Sequence, residues 1–381
     1  MMRLRFGYPW HMREGGGTMH EWFCGPTAFY CLRTPPQVKS LYPLFPDIGF
    51  PAGKRQIKLD YNNSAGWANV LGPLPLHAIV RDPQLRRPSL VVKPRVWTGD
   101  LPAGAFYDDE DLGITYASPA FTVFTMASQL SITQMIMAMY ELTGSWSIYR
   151  PNREIQIQID HMENTRLAWV GGWQQVRTTR GLATSLWKRG PLITTHELLA
   201  FTRGISGMRN AQKYLRAAAR VQGNTASPLE ARLSMLLSLP PREGGEGFPP
   251  FFANYRIAYS HTAATLAGKH TCYADIFFPA TETHPAIDVE CHGHSVHDGD
   301  AQGGVDANRS LALQHMGIEV IHVTHEQLAD IDRFEAFCDH LAARLRFKRR
   351  SKTEAMLNRR DTLRSELFGS WETLGGGLVV T

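Results

Sequence analysis

The alternation of hydrophobic and polar positions is most regular between residues 227 and 346, where it predicts a defined series of helices and strands. Ser227 and Pro228 signal a helix start, and SPLEARLSMLLSLP continues in helix-forming residues. The stretches FFANYRIAYS, TCYADIFFP and AIDVECHG are rich in aromatic and β-branched residues and predict three strands. A helix in VDANRSLALQHM, a strand in IEVIHVT and a final helix from His325 complete the predicted order α-β-β-β-α-β-α.

The preceding part of the chain, residues 21–190, mixes short apolar runs with proline, glycine and aromatic residues. LHAIVRD and SLVVKPRVW predict strands, and the stretch that opens with Ser118 and Pro119 predicts a helix. This region is therefore interpreted as a mixed α+β domain. Residues 191–224 predict two helices that link it to the unit at residues 225–346, so the chain as a whole is expected to be α/β.

The two ends of the chain are interpreted as extensions of this core. Residues 1–20 carry aromatics, charges and glycines without an apolar run, so we expect a disordered extension and no secretory signal. Residues 347–381 begin with KRRSK and end with GGGLVVT, which predicts a basic helix and a loose tail.

Composition adds limits on location and partners. Hydrophobic residues make up 43% of the 381 residues and charged residues 20%, as in ordinary globular proteins. No run of about eighteen apolar residues occurs, so no membrane contact is expected. The five cysteines include no CxxC pair, which favours reduced thiols and a cytoplasmic location. The net charge of +5 permits a nucleic-acid partner without requiring one.

The candidate chemistry lies in two carboxylates on consecutive predicted strands. Asp275 begins one apolar run and Glu290 lies inside the next, so a hairpin would bring both side chains to one point. Oxygen ligands from separate strands are what a divalent cation needs. Alternation places Asp288 on the same face as Glu290, and the simpler interpretation of this strand is an edge strand with one wet face.

The order of short motifs around these residues resembles the very-short-patch-repair-endonuclease-like domain family, a branch of the PD-(D/E)XK nuclease superfamily. The family's elements are an Asp-aromatic-x-Pro strand, a Glu-x-Asp-Gly strand, a following histidine, an Asp/Glu-x-x-Arg helix, a Gly-x-x-Val-x-x-x-Thr strand and often an opening Ser-x-x-Glu. In this chain they are Asp275 with Pro279, Glu290 with Gly293, His297, Asp306 with Arg309, Gly317 with Val320 and Thr324, and Ser227 with Glu230.

The resemblance implies a restriction-endonuclease-like core with a mixed sheet flanked by helices. It implies that Asp275 and Glu290 bind Mg²⁺ (or Mn²⁺), that DNA is the substrate, and that the protein acts in DNA repair or phage defence. Glu230 is then a boundary of the metal pocket, although Ser227 and Glu230 also form a helix-capping pattern. The family usually has lysine or an acid where this chain has His292, which leaves catalysis open.

Histidines follow Glu290 closely. His292 is a candidate to position water or bind metal, and His297 fits the family by its distance from Glu290. A Zn²⁺ site at His292, His294 and His297 is a less favoured alternative to a polar loop. Arg309 lies three residues after Asp306, so the two form either a surface ion pair or part of the site.

A second candidate surface precedes the nuclease-like unit. Steps of four, three and four residues place four cations on one face of a predicted helix: Arg209, Lys213, Arg216 and Arg220. This face is either a solvated helix surface or a DNA-phosphate contact. The N-terminal half resembles uncharacterised actinobacterial proteins likened to abortive-infection antitoxins, on TAFYCLRTPP, LPAGAFYDDEDLGITYASPAF and YELTGSW. That resemblance implies a cognate toxin or another defence protein as partner.

Three functions are therefore open from the sequence. The first is a Mg²⁺-dependent endonuclease that hydrolyses DNA phosphodiester bonds. The second is a non-catalytic DNA-binding, antitoxin-like regulator that keeps the nuclease fold, which the histidine at position 292 favours. The third is a metal-binding interaction module built on the histidine cluster.

Overall fold

The computed structural model describes residues 22–44, 66–164, 172–293, 300–369 and 371–374, with the backbone alone for residues 164 and 300–306. The predicted extension at residues 1–20 lies outside the described residues. Helices and mixed sheets alternate along the chain, so the expected α/β class is confirmed at that level. None of the helices in the described ranges has both the length and the apolar character required to cross a bilayer.

The helices are labelled α1 to α14 in chain order. Short 3₁₀ segments occur at Pro83–Arg86, Pro241–Glu243 and Trp371–Thr373. The bounds are α1 Gly25–Arg33, α2 Pro36–Lys39, α3 Ala68–Leu71, α4 Pro119–Met126, α5 Ile132–Thr143, α6 Arg153–Asn164, α7 Thr195–Phe201, α8 Ala211–Ala218, α9 Pro228–Ser238, α10 His261–Ala267, α11 Asp300–His315, α12 His325–Ala329, α13 Ile331–Arg344 and α14 Glu354–Leu367.

Within the described ranges, the strands form three sheets. The sheet orders are β3-β2-β1-β5-β4, β6-β8-β7 and β12-β11-β10-β9. The bounds are β1 Trp22–Phe23, β2 Leu76–Val80, β3 Val92–Val96, β4 Phe106–Asp109, β5 Ile114–Ala117, β6 Trp146–Ile148, β7 Gln174–Arg177, β8 Ala183–Lys188, β9 Phe252–Ala258, β10 Thr271–Phe278, β11 Ile287–His292 and β12 Glu319–Thr324.

The third sheet belongs to the region with the most regular sequence pattern. Its elements run α9, β9, β10, β11, α11, β12, α13, which is the predicted order, with the short helices α10 and α12 added. The strand β10 pairs antiparallel with both neighbours, whereas β11 and β12 are parallel. The long connection through α11 is what lets two consecutive strands run in the same direction.

Two packed layers enclose this sheet. On one face, Ile276, Phe278 and Val289 belong to the same buried cluster as Leu236 of α9 and Phe334 of α13. On the other face a smaller cluster contains Ile257, Cys272, Phe277, Leu313 and Ile318, so α11 covers that side. The larger cluster also includes residues of α1, α4 and α5 and is continuous between the two halves of the chain. The proposed domain boundaries stay predictions.

The C-terminal segment is anchored on the rest of the protein as far as Leu374. Helix α14 buries Leu363 and Leu367, and Trp371 joins the main core. Two cations of the predicted basic run are held in an acidic network, since Arg349 and Lys352 both ion-pair with the buried Glu246. These two charges therefore stabilise the fold, and they are unavailable for phosphate contacts while paired.

Candidate functional site

The first acidic side chain of the candidate site comes from the start of α9. Ser227 Oγ accepts a hydrogen bond from the Glu230 N–H (3.2 Å), as the capping pattern predicts. The Glu230 carboxylate accepts from the Ala226 N–H (2.6 Å), one residue further back than in the usual reciprocal box. Glu230 is only 5% exposed, so the cap holds a carboxylate inside the protein.

The second acidic side chain, Asp275, lies at an irregular point of the β9–β10 pair. The neighbours of Asp275 pair with β9, Ala274 with Tyr255 and Ile276 with Ala253. Asn254, which lies between these two positions of β9, has φ of +47°. This left-handed conformation bends the backbone locally. Asp275 Oδ2 accepts a hydrogen bond from the Cys291 N–H (2.7 Å), which fixes the carboxylate beside the position after Glu290. The predicted approach of Asp275 to the next strand is thus realised.

The strand β11 lies in the interior of the sheet, between β10 and β12. The interpretation of IDVEC as an edge strand with a wet face is therefore wrong. Asp288 is fully buried and Glu290 is 7% exposed. Val289 packs in the larger core cluster on one face of the sheet. By alternation, Asp288 and Glu290 both lie on the other face, as predicted. Two carboxyl groups on one buried strand face require a compensating cation or proton.

Arg309 of α11 is the basic residue that meets these acids. Its guanidinium ion-pairs with Glu290, donates to the Tyr273 carbonyl, and lies 3.6 Å from Asp288 Oδ2. The Asp306 side chain lies outside the described residues, so the alternative, a surface ion pair between Asp306 and Arg309, stays a prediction. One guanidinium therefore faces two buried carboxyl groups.

Burial and mutual repulsion oppose the ionisation of this acidic set. Burial, then the neighbouring Glu290, raise the pKa of Asp275 to about 7, against the opposing effects of the Cys291 N–H and Arg309. Burial and Asp288 raise the pKa of Glu290 to about 9, and burial raises that of Asp288 to about 6. Burial and Asp275 also raise the pKa of Glu230. These four carboxyl groups thus form one electrostatic unit, which we call the acidic set.

Some buried oxygen atoms of the acidic set lack a hydrogen-bond donor. Both carboxylate oxygens of Asp288 are buried without a short hydrogen bond, and they face Arg309, 3.6 Å from Oδ2, and the Glu290 carboxyl group. Buried carboxylate oxygens without partners are costly, and a bound cation removes that cost. Even so, the described residues contain no group of three or more His, Cys, Asp or Glu side chains already arranged to hold a metal ion.

The histidine cluster is described only in part. His294 and His297 lie outside the described residues, so the predicted role of His297 and the alternative Zn²⁺ site stay predictions. His292 Nε2 lies 2.6 Å from His322 Nδ1, a hydrogen bond between two imidazoles at the end of β11 and β12. In the β11–β12 register His322 is opposite Glu290, so the histidine pair adjoins the acidic set.

The four predicted DNA-contacting cations occupy different environments. Helix α8 is shorter than predicted, and Arg209 and Arg220 lie outside it. Lys213 donates to the carbonyls of Ala127 and Leu130. Arg220 ion-pairs with Glu243 (2.7 Å). Arg209 and Arg216 are exposed on the surface.

Two residues of the site were not selected from the sequence. Asp288 was seen to share a face with Glu290, but its burial depends on β11 being an interior strand, which the pattern alone does not reveal. His322 lies 30 residues from His292 and meets it only through the β11–β12 pairing. The alternation of IEVIHVT, which places His322 on the face opposite Val323, was the available signal.

The stability of the metal-free protein is expected to fall as pH rises from 5 to 8. The pKa values of Asp275 and Glu290 are raised in the fold, so the folded chain holds these protons more tightly than the unfolded chain between about pH 4 and 9. With about 1.4 kcal/mol per pKa unit and two coupled groups, we expect a loss of about 2–5 kcal/mol. Urea unfolding at both pH values in EDTA measures it.

Asp275→Asn is the matched comparison for this pH dependence, because it removes one titrating group and keeps an oxygen acceptor for the Cys291 N–H. The variant is expected to lose less stability than the wild type over the same pH interval. Equal slopes for the two proteins would contradict the assignment of this titration to Asp275.

Comparison of the whole chain with known proteins assigns it to no family. No family model matches it, and neither a curated protein nor a solved structure gives a significant match. The resemblance to PD-(D/E)XK nucleases therefore rests on the ordered motifs between Ser227 and Thr324.

Proposed function

We propose that this protein is a Mg²⁺-dependent endonuclease of the PD-(D/E)XK kind that hydrolyses DNA phosphodiester bonds. The observation that carries the proposal is the burial of Asp288 and Glu290 beside a single guanidinium, with Asp275 held on the backbone N–H that follows Glu290. Such an arrangement is unfavourable for stability alone, because repulsion and desolvation raise the pKa of each carboxyl group. Strongly shifted groups gathered in this way are typical of functional sites.

The donor atoms in the acidic set fit a hard divalent cation. All are carboxylate oxygens, which Mg²⁺ and Mn²⁺ prefer, and the oxygens of Asp288 are buried with only a long ion pair to Arg309 (3.6 Å). Asp275 and Glu290 would hold the ion, as the resemblance implies, with Asp288 beside them. When bound, the ion supplies Lewis-acid stabilisation of the phosphate and of a nucleophilic water.

The neighbouring residues supply the remaining roles. Arg309 lies beside Glu290 and would stabilise negative charge on the phosphate, as a guanidinium does for phosphate oxygens. His292 takes the position at which the family usually has lysine and would orient the attacking water. Its bond to His322 restricts the imidazole to one orientation. Glu230, the member of the acidic set that α9 supplies, would form one boundary of the metal pocket.

The exposed cations before α9 are proposed to contact DNA phosphates. Replacing Arg209 and Arg216 together by alanine is expected to weaken DNA binding and to reduce the salt slope of log K by about two. Lys213 and Arg220 are expected to contribute less, because each is already bonded within the protein. Fluorescence anisotropy with duplex DNA at several salt concentrations measures this.

The control for that experiment is Arg86→Ala with Arg87→Ala, an equal loss of exposed charge in another part of the chain. An unchanged salt slope in the Arg209/Arg216 variant, or an equal change in the control, would contradict a specific phosphate contact.

The catalytic proposal is tested by incubating the purified protein with Mg²⁺ or Mn²⁺ and three DNAs. These are supercoiled plasmid, single-stranded DNA and a mismatched duplex. Cleavage of at least one, lost in EDTA, is expected. If none is cut under any of these conditions, the catalytic proposal is wrong.

A second function, a non-catalytic DNA-binding and antitoxin-like regulator, is favoured by one observation. Arg309 already ion-pairs with Glu290, and the described residues hold no preformed three-ligand metal group. An internal cation can replace a metal ion in keeping such a site folded. This function predicts salt-dependent DNA binding that survives Asp275→Ala in a protein without nuclease activity. A cognate toxin or other defence protein would then be its partner.

A further inference from the structure

A separate cavity lies in the N-terminal part, between the start of α1, the segment before β2 and the loop after α4. Its volume is about 310 Å³, at the lower end of the range for small-molecule sites. Its lining combines apolar residues such as Leu71 and Leu74 with polar ones, Thr27, His77, Gln129 and Gln134. No carboxylate occurs among the lining residues that the structure describes.

Cations stand next to this cavity because of strand pairing. The parallel register of β2 and β3 places Lys93 opposite His77 and Arg95 opposite Ile79. Alternation along both strands therefore puts His77, Lys93 and Arg95 on one face of the sheet. Arg95 also donates to Ser128 Oγ (3.3 Å), and Ser128 precedes the lining residue Gln129 in the loop after α4.

A third cation, Lys213, is bonded to the same loop. Lys213 Nζ donates to the carbonyls of Ala127 and Leu130, and Leu130 lines the cavity. The ammonium group is thus held where the loop after α4 passes the cavity. Cations beside a cavity whose described lining holds no carboxylate make this region attractive to an anion.

The lowered pKa of His77 is consistent with the neighbouring positive charges. Burial, followed by the charges of Lys93 and Arg95, lowers the pKa of His77 to about 4. At neutral pH the imidazole is therefore uncharged, and it can accept or donate one hydrogen bond at the cavity wall. The charge for binding an anion comes from Lys93 and Arg95, because Lys213 is already bonded to two carbonyls.

We propose that this cavity binds a phosphate monoester of about mononucleotide size, with the phosphate at Lys93 and Arg95 and the organic part against the apolar wall. The phosphate could be carried by a free nucleotide or by the 5′ end of a DNA strand, and both present the same chemistry to the cations. The site is separate from the acidic set, so it stands whether or not the protein is a nuclease.

The probes for this proposal are AMP, adenosine, inorganic phosphate, and a hexanucleotide with or without a 5′-phosphate, each titrated into the full-length protein by calorimetry. AMP is expected to bind at least about tenfold more tightly than adenosine. A hexanucleotide that binds only when phosphorylated assigns the site to strand ends, and binding of AMP alone assigns it to a free nucleotide. The proposal is overturned if neither phosphate monoester binds, or if adenosine binds as tightly as AMP.

Two variants locate the binding. Lys93→Ala with Arg95→Ala is expected to weaken AMP binding at least about tenfold, whereas Arg86→Ala with Arg87→Ala leaves it within about twofold. Gln129→Trp, at an exposed lining position, is expected to block the cavity, and Gln212→Trp on the exposed side of α8 is its control. AMP affinity that is unchanged in both the cation variant and the tryptophan variant would place the ligand elsewhere and overturn the proposal.

Discussion

Replacing Asp275 by asparagine is expected to reduce Mg²⁺-dependent DNA cleavage by at least about 100-fold. The substitution removes the negative charge that would hold the cation, while the amide oxygen can still accept the Cys291 N–H. The fold is therefore expected to persist, and the metal-free variant is expected to be more stable than wild type at pH 8, since a buried charge is lost. Single-turnover plasmid cleavage measures the rate.

The control for this variant is Glu282→Gln, an exposed acid in the turn between β10 and β11. It removes an equal charge from the same hairpin and is expected to leave the cleavage rate within about twofold of wild type. Circular dichroism checks that both variants are folded. Wild-type cleavage by Asp275→Asn would remove Asp275 from the catalytic account.

The largest effect on stability is expected at Glu141, in the core of the N-terminal part. Arg33 donates two hydrogen bonds to its carboxylate (2.8 and 2.6 Å), and both side chains are almost fully buried. Ser147 Oγ (3.2 Å), the Ile148 N–H (3.1 Å) and Trp371 Nε1 (3.1 Å) also donate to it. Glu141 therefore joins α1, α5, β6 and the C-terminal segment.

Glu141→Ala is expected to lower the free energy of unfolding by about 3–5 kcal/mol, because it leaves the Arg33 guanidinium buried without its counter-charge. Urea denaturation measures the loss. The control is Glu319→Gln, which breaks the half-exposed pair with Arg344 and is expected to cost less than about 1 kcal/mol. Similar losses for the two variants would contradict the structural role assigned to Glu141.

Much of the C-terminal fold was predictable because local signals there agree with the tertiary structure. Ser227 and Pro228 do start α9, and the apolar runs around Asp275 and Glu290 do form neighbouring antiparallel strands. Periodicity reports which positions are apolar, and in this region the apolar positions are the buried ones. The helix α10, seven residues between two strands, was too short to be recognised.

The electrostatic content of the site was less predictable, because it depends on long-range pairing. Asp288 is buried because β11 is an interior strand and α11 covers the sheet face that carries it, and Arg309 meets Glu290 because α11 packs on that same face. The prediction that four cations share one helix face was also wrong, because only two of them lie in the helix. Asn210 adopts a left-handed conformation (φ 71°) immediately before α8, so Arg209 falls outside the helical spacing on which that face was predicted.

The most direct test of the central claim, that the acidic set holds a divalent cation, is Mn²⁺ binding measured by electron paramagnetic resonance at pH 8. The wild-type protein is expected to bind Mn²⁺ at a site that Mg²⁺ displaces, and Asp275→Asn is expected to bind at least about tenfold more weakly. Absence of Mn²⁺ binding to the wild type, or equal affinity in Asp275→Asn, would contradict the claim.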